Sequence, residues 1–551
     1  MDKYACIVVR SGRREQDIDF LIQHMMRDEN GALPTDWDRA DAVKMLGDIL
    51  HLSTFPEEFT VYIEMGYVDR VYRDIYYHHY SSRHFNQPRN CKRLFFFDGV
   101  GDSPAQLPED AEQRFIGVSV IQPNGIIGRS YWHPKYFLPL GHYVRTAEFT
   151  VTLLGRRLRI KAFPYMMQDR EATTCAEVTV LNLVDYYSQS YPEYRYTLLS
   201  DIETVEAQHS AERIFPSRGM NYADVARSLA YIGLSPRLYS SRNAAMAPNN
   251  MKRYLYYYVE SGLPFGVAVE SSDRGMLHSM VCVGHGQRSE FWPADCAVNY
   301  LAREETQSGD MKLRNCWIVN SADAYQSFVV MDDSARPYQT VQFKAASKNW
   351  TFPQKQPDGL TQYAVEYLCI PLYKRVFLEV DGAAEVFAAF LTGRMGFQAV
   401  MDRMGITDWS KYGKEQNDPL IVRIFLASSR AFLAQRMQVL NQMGPSQMDE
   451  ACLAVYQNLF CPRFVWVCEL YTKETFDEET PRAIGEIIVD ATARRTGSMG
   501  GLDCIVLTHY PHYITYRDPD SRLVKLEKNE KKLDTWSPFL QFRGNLRDFN
   551  Q

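Results

Sequence analysis

The sequence predicts an α+β protein of several domains, with a central two-lobed unit flanked by mixed α/β units at both ends. Three observations carry that expectation. At 551 residues the chain exceeds what one ordinary hydrophobic core supports, so roughly two to four domains are expected. The middle of the chain runs helices first and strands second, the segregation that marks α+β architecture. The local patterns also change near residue 148 and near residue 375, which divides the chain into 1–147, 148–375 and 376–551.

Composition narrows the function classes. Hydrophobic residues make up 46% and charged residues 23%, the balance of a soluble globular protein. A formal net charge of −6 argues against chain-wide nucleic-acid binding, and the mixed run from Lys525 to Lys532, broken by Glu527 and Glu530, reads as a solvated face. No apolar run approaches the roughly 18 to 20 residues of a spanning helix, and Met1-Asp2-Lys3-Tyr4 leads into charge at Arg13, Arg14 and Glu15 without a signal-peptide core. The 11 cysteines are odd in number, sit mostly inside apolar runs and form no C-x-x-C pair. Reduced thiols in a cytoplasmic setting are the expectation, with no membrane, nucleic acid, metal or cofactor.

The first unit opens with a strand candidate, Ala5 to Val9, followed by helical periodicity from Asp17 to Met26 and from Arg39 to Leu50. Tyr67 to Tyr80 reads as a further helix, Tyr and Val on one stripe and Asp and Arg on the other. Its His78 and His79, with His84 beyond, are spaced poorly for tetrahedral coordination and read as a polar face. Phe115 to Ile121 is a strand candidate ahead of the turn Pro123-Asn124-Gly125.

The second unit starts with a hairpin signal, Phe149 to Leu154 and Leu158 to Phe163 around Gly155-Arg156-Arg157. Helices are expected at Ala176 to Tyr187, Tyr222 to Tyr231 and Lys252 to Glu260. Strands are expected at Pro264 to Glu270, Leu277 to Val283, Asn315 to Asn320, Ser327 to Met331 and Tyr363 to Ile370. The polar stretch from Gly286 to Leu313 reads as an excursion loop interrupting the sheet. In the third unit, helices are expected at Ala383 to Met395 and Ser429 to Asn441, and strands at Leu420 to Leu426, Phe464 to Leu470 and Cys504 to Leu507. Ala483 to Thr492 reads as core strand, and His509 and His512 form an H-x-x-H with no third ligand in view.

Chemistry concentrates around Gln168-Asp169-Arg170-Glu171-Ala172-Thr173-Thr174-Cys175. Here a thiol stands where a loop turns into an amphipathic helix and an amide side chain lies seven positions upstream. Such a cysteine becomes a nucleophile when its environment favours the thiolate, and the positive end of a helix is one device for that. It also needs a base, a group to orient the base, and donors for an oxyanion. His278, at the start of an apolar strand after Asp273-Arg274-Gly275, is the expected base; His285 ends the same strand. Asp332 or Asp333, at the end of the strand Ser327 to Met331, or Asn320, at the end of an intervening strand, would orient it. Asp332 is preferred because it continues the strand directly. The paired aspartates read equally as a cation site or a solvated turn. Gln168 and the Cys175 backbone N–H would serve the oxyanion.

The ordered set resembles the papain-like cysteine peptidase superfamily. The residues carrying the resemblance are Gln168-Asp169, Cys175-Ala176, Arg213 to Met220, Ser261-Gly262-Leu263-Pro264, His278, and Asp332-Asp333 with Pro337-Tyr338. More narrowly, they are similar to the bacterial peptidases related to those that cleave double-glycine bacteriocin leaders. The resemblance covers roughly residues 149 to 375. It implies two lobes with the site between them, and the roles oxyanion donor, nucleophile, base and orienter for Gln168, Cys175, His278 and Asp332. Ala176-Glu177 after the cysteine departs from the Gly-Pro common in the leader peptidases. Gln168 also lies one residue further from the cysteine than in papain.

The expected function is cysteine-dependent hydrolysis of a peptide or isopeptide bond in a peptide or protein substrate. The same apparatus serves acyl transfer, and a catalytically silent scaffold that binds a partner is the other reading.

Overall fold

A computed structural model describes residues 3–548 apart from 29–30, 35, 85–86, 102–105, 211–218, 244–247, 272–276, 290–295, 306–309, 345–348, 352–361, 443–449, 494–501, 512, 521 and 528–538. The protein is mixed α and β, organised on three large sheets.

The first sheet has seven strands in the order Tyr4–Val9, Phe59–Tyr67, Cys91–Asp98, Phe115–Ile121, Ser130–Trp132, Arg156–Tyr165, Ala147–Leu153. Every neighbour is antiparallel. Helices Arg14–Met26 and Asp41–Leu50 bury Ile18, Leu21, Met25, Met45, Leu46 and Ile49. The stretch expected to be helical from Tyr67 starts its helix only at Arg70, because Asp69 caps it, accepting the Tyr72 N–H at 2.9 Å. Tyr67 itself ends a strand.

The second sheet closes on itself. Phe265–Ser271 pairs with both Gln362–Leu372 and Leu277–His285, and the circuit runs on through Ser327–Met331, Gln339–Lys344 and Asn349–Thr351. The helix Cys175–Ser190 packs against the strand Leu277–His285. Thr179 and Ser279 meet hydroxyl to hydroxyl across that contact at 2.9 Å. A Cβ on Gly266 would stand in ordinary contact, 3.4 Å, with Thr179 and the Tyr222 hydroxyl.

The third sheet has eight strands, Val298–Glu305, Met311–Asn320, Leu420–Ser428, Phe464–Tyr471, Gly485–Asp490, Ile505–Tyr510, Tyr513–Arg517 and Leu523–Glu527. Its members cross the boundaries expected from the sequence. Part of the supposed excursion loop after Gly286 forms the hairpin Val298–Glu305/Met311–Asn320, joined to this sheet by parallel pairing of Ile318–Asn320 with Leu420–Val422. Its polar appearance is that of an edge hairpin, where even Leu301 and Leu313 stay exposed. Likewise the hairpin Ala147–Leu153/Arg156–Tyr165 belongs to the first sheet, and Arg547–Asp548 near the C-terminus pairs with Tyr143–Val144 beside the closed sheet. Burial patterns fix which strands are internal; they carry no information about which sheet a strand joins.

Buried charge welds the second and third sheets. Arg423 bridges Glu260 and Glu469, the latter at 2.7 Å, and Arg436 bridges Glu469 at 2.7 Å and Glu486 at 2.9 Å. Asn545 adds hydrogen bonds to the carbonyls of Glu260, at 3.0 Å, and Leu426, at 2.7 Å. The turn at Gly262 must take positive φ there (68°), and its Cα faces the Asn545 carbonyl too closely for any side chain.

Candidate active site

Cys175 is the first residue of its helix. The loop before it is built by Asp169, whose Oδ1 accepts the backbone N–H groups of Glu171, Ala172 and Thr173 at 2.9, 2.8 and 2.7 Å. That wrap holds Arg170 at φ 60°, a left-handed conformation unusual outside glycine. Thr174 then enters the helix with its N–H on Glu177 Oε2 at 3.0 Å. Cys175 therefore sits at the positive end of a 16-residue helix.

His278 lies near the start of the strand Leu277–His285, half-buried. Its Nε2 lies 2.8 Å from Asp332 Oδ1 and 3.6 Å from Asp333 Oδ1. Cys175 stands beside this ring, lining the same cleft, and is among the groups that raise it. With Nε2 engaged by Asp332, Nδ1 is the nitrogen left for the thiol. Burial works against charge on this ring, but Asp332, its hydrogen bond, the cysteine contact and Asp333 together hold the imidazole well above its ordinary value. For Asp332 burial also opposes charge, yet His278 and the Ser334 N–H hold its carboxyl below the usual range. Burial and the neighbouring Asp332 charge push Asp333 up to about 7.

Gln168 donates through Nε2 to Ser334 Oγ at 3.3 Å, and Ser334 in turn donates its N–H to Asp332 at 2.9 Å and its hydroxyl to Asp333 at 3.2 Å. Four sequence-predicted residues thus meet: Cys175 with His278, His278 with Asp332, and Gln168 beside the aspartate turn. Asn320 stands elsewhere. Its Oδ1 accepts the Ala322 N–H at 3.0 Å, capping the turn Ser321–Ala324, and its amide contacts Tyr257. The segment Arg213 to Arg218 and the loop at Asp273-Arg274-Gly275 lie outside the described residues.

Sequence reasoning missed what holds these pieces in place. Both active loops are pinned to the first sheet and its helices. Tyr80 donates its hydroxyl to Asp169 Oδ2 at 2.8 Å, and His79 and Arg83 pair with Glu171 at 2.9 and 2.6 Å. On the other side, Tyr165 donates to the Ala335 carbonyl at 2.7 Å and Tyr338 to the Trp132 carbonyl at 2.9 Å. An Asp four residues before a Thr in a loop was the available signal for Asp169; Tyr80 had none.

A cleft of about 390 Å³ opens beside the thiol and the imidazole. Met220, Tyr222, Leu238, Leu277 and Tyr367 line it, with Tyr222 stacked on Tyr367 at 5.7 Å between centroids. Among the described residues, His278, Asp332 and Asp333 are the His/Cys/Asp/Glu group placed to hold a metal ion. His509 is fully buried, its ring stabilised neutral by burial with its pKa lowered to about 3, beside Tyr456 and Cys452; His512 lies outside the described residues. A scan against protein-family models and a search of curated proteins each found no match.

Proposed function

We propose that this protein is a cysteine-dependent hydrolase of papain-like type, acting on a peptide or isopeptide bond. The observation that carries it is the Cys175–His278–Asp332 chain, a thiol at a helix start joined through one imidazole to a buried carboxylate. The helix Cys175–Ser190 and the closed sheet bearing His278 are read as the two lobes.

In this reading His278 takes the thiol proton and sulfur attacks the carbonyl carbon. The oxyanion is held by the Cys175 backbone N–H and the Gln168 amide, and Asp332 keeps the ring oriented and stabilises its positive charge. His278 then gives the proton to the leaving amine, and water, deprotonated by the same ring, releases the acyl group. The apolar cleft beside the sulfur fits a substrate with an aliphatic or aromatic side chain next to the scissile bond.

The test is labelling by a peptidyl electrophile bearing such a side chain, followed by hydrolysis of the matching peptide amide. Labelling is expected at Cys175, absent in Cys175→Ala and slowed about 10²–10⁴-fold in His278→Ala. Labelling of Cys175 no faster than of Cys6 or Cys91 defeats the enzyme reading and leaves a binding scaffold. Product appearing as a new amide when amines are supplied, in place of the free acid, assigns acyl transfer.

A further inference from the structure

Ser334 holds a hydrogen-bonding position that the proposed triad does not account for. Its backbone is pinned: its N–H donates to Asp332 Oδ1 at 2.9 Å, and the next residue, Ala335, donates its N–H to the Asp332 carbonyl at 3.2 Å and accepts the Tyr165 hydroxyl at 2.7 Å. Its side chain faces two ways. The hydroxyl donates to Asp333 Oδ1 at 3.2 Å, and the same oxygen accepts from Gln168 Nε2 at 3.3 Å. Ser334 is exposed, so this hydroxyl fills no space in the core. Among the described residues, its oxygen is the hydrogen-bond partner of the Gln168 side chain, the amide assigned to the oxyanion.

The direction of this chain follows from the protons available. A carboxylate oxygen accepts only, and a hydroxyl has a single proton to give. With that proton committed to Asp333, Ser334 offers Gln168 its lone pairs and nothing else. The nitrogen end of the carboxamide must therefore turn toward it, and Oε1 away. A carboxamide nitrogen carries two N–H groups. One is spent on Ser334, and the second remains for an oxyanion. With no acceptor behind it, the same hydroxyl could donate to Oε1 instead and hold the amide the wrong way round. Bonds in such a chain also polarise one another, so Asp333 strengthens the acceptor that Ser334 presents.

We propose that Ser334 and Asp333 are positioning residues for Gln168, a relay that fixes which end of its carboxamide is offered to the oxyanion formed at Cys175. No proton leaves any of the three side chains; the relay acts by holding a donor in place. A donor fixed beforehand contributes more to the transition state than one that must be turned, and it contributes there rather than to substrate binding. The rate effects rest on the function proposed above; the orientation of the amide does not.

Nitrogen-15 spectra of the full chain read that orientation without any turnover. The Gln168 side-chain amide, identified by its absence in Gln168→Ala, is expected as a proton pair displaced from free-carboxamide positions. The pair should move to those positions in Ser334→Ala and in Asp333→Asn, whose amide can donate to Ser334 and release its hydroxyl, and stay in place in Ser334→Thr. A wild-type pair already at free-carboxamide positions overturns the relay, a result that needs no variant of Ser334 to fold; so does a pair unmoved in Ser334→Ala. A pair unmoved in Asp333→Asn overturns the part given to Asp333. Turnover of a peptide ester reads the consequence. Removing an oxyanion donor outright costs about 10²–10³-fold in kcat, so loosening one should cost about 10–100-fold in Ser334→Ala, with KM unchanged and the rate recovered in Ser334→Thr. Added to Gln168→Ala, Ser334→Ala should cost nothing more. A loss that persists in that background, or that Ser334→Thr does not recover, overturns the relay. Turnover indifferent to Cys175→Ala instead defeats the enzyme reading, and the amide spectra still decide the orientation.

Discussion

One strand, Leu277–His285, carries a histidine near each end, and each histidine meets a buried carboxylate. His285 is fully buried, with Nε2 3.0 Å from Glu260 and Nδ1 2.8 Å from the Gly286 carbonyl. Both of its nitrogens are spent on structure, and Tyr256 and Tyr325 close over its ring. His278 is 21% exposed at the mouth of a cleft, gives one nitrogen to Asp332 and lines that cleft beside Cys175. A His–carboxylate pair alone therefore says nothing about chemistry. The uncommitted nitrogen, and what faces it, separates the two.

The sharpest way to break that comparison is to change the carboxylate at each end. Asp332→Asn leaves shape intact but favours the wrong tautomer, and acylation of Cys175 by an activated ester should fall roughly 10³–10⁴-fold. Asn320→Ala should leave that rate unchanged, since Asn320 caps a turn and contacts Tyr257, away from His278. Stopped-flow release of the ester's leaving group reads both. Equal losses would return the orienting role to Asn320.

At the other end, Glu260→Gln removes a charge from between Arg423 and His285. Breaking a buried pair while its partner stays charged costs about 3–5 kcal/mol. Chemical denaturation should show that loss, and the folded fraction should label at Cys175 at the wild-type rate. A slowed label with unchanged stability would make His285 part of the site.

The thiol at a helix start, the histidine at a strand start and the aspartate at a strand end were all legible, because each is a local junction between periodic and aperiodic sequence. Most elements were legible for the same reason. Sheet membership was not. Met311–Asn320 carries its hairpin onto the distant strand Leu420–Ser428, and Arg547–Asp548 returns to Tyr143–Val144, pairings that hydrophobic alternation does not encode. The choice of Asp332 over Asp333 was equally beyond alternation. The contact with His278 depends on the turn Asp332–Ala335, which Tyr165 holds from the first sheet and Tyr338 ties to that sheet through the Trp132 carbonyl.

Asp333 sharpens the comparison through pH. Its folded-state value of about 7 lies above the ordinary 3.8. A raised carboxyl adds stability below its unfolded value and loses it as pH rises through the folded one, so the window runs from about 4 to about 7. In chelator-treated protein, Asp333→Asn should therefore raise the denaturation midpoint at pH 8 and change it little at pH 4. Scans at the two pH values decide it; a uniform loss at both would mean that Asp333 is held charged by His278.

The smallest effect expected comes from behind the nucleophile's loop. Tyr80 reaches Asp169 from the turn after the helix Arg70–His78, and Asp169 shapes the loop that presents Cys175. A hydrogen bond to a charged group contributes about 1.5–3 kcal/mol, but three backbone N–H groups on Oδ1 remain to hold the loop. Tyr80→Phe should accordingly slow Cys175 acylation only a few-fold, with binding of a reversible peptide in the cleft unchanged. Asp169→Asn, which weakens all of these bonds together, should cost far more. The ratio of the two rates measures how much of the nucleophile's placement is local to its loop and how much is borrowed from the neighbouring turn at Tyr80. Equal losses in both variants would assign the placement to Tyr80, and no loss in either would leave the helix cap at Thr174 and Glu177 as the sole support.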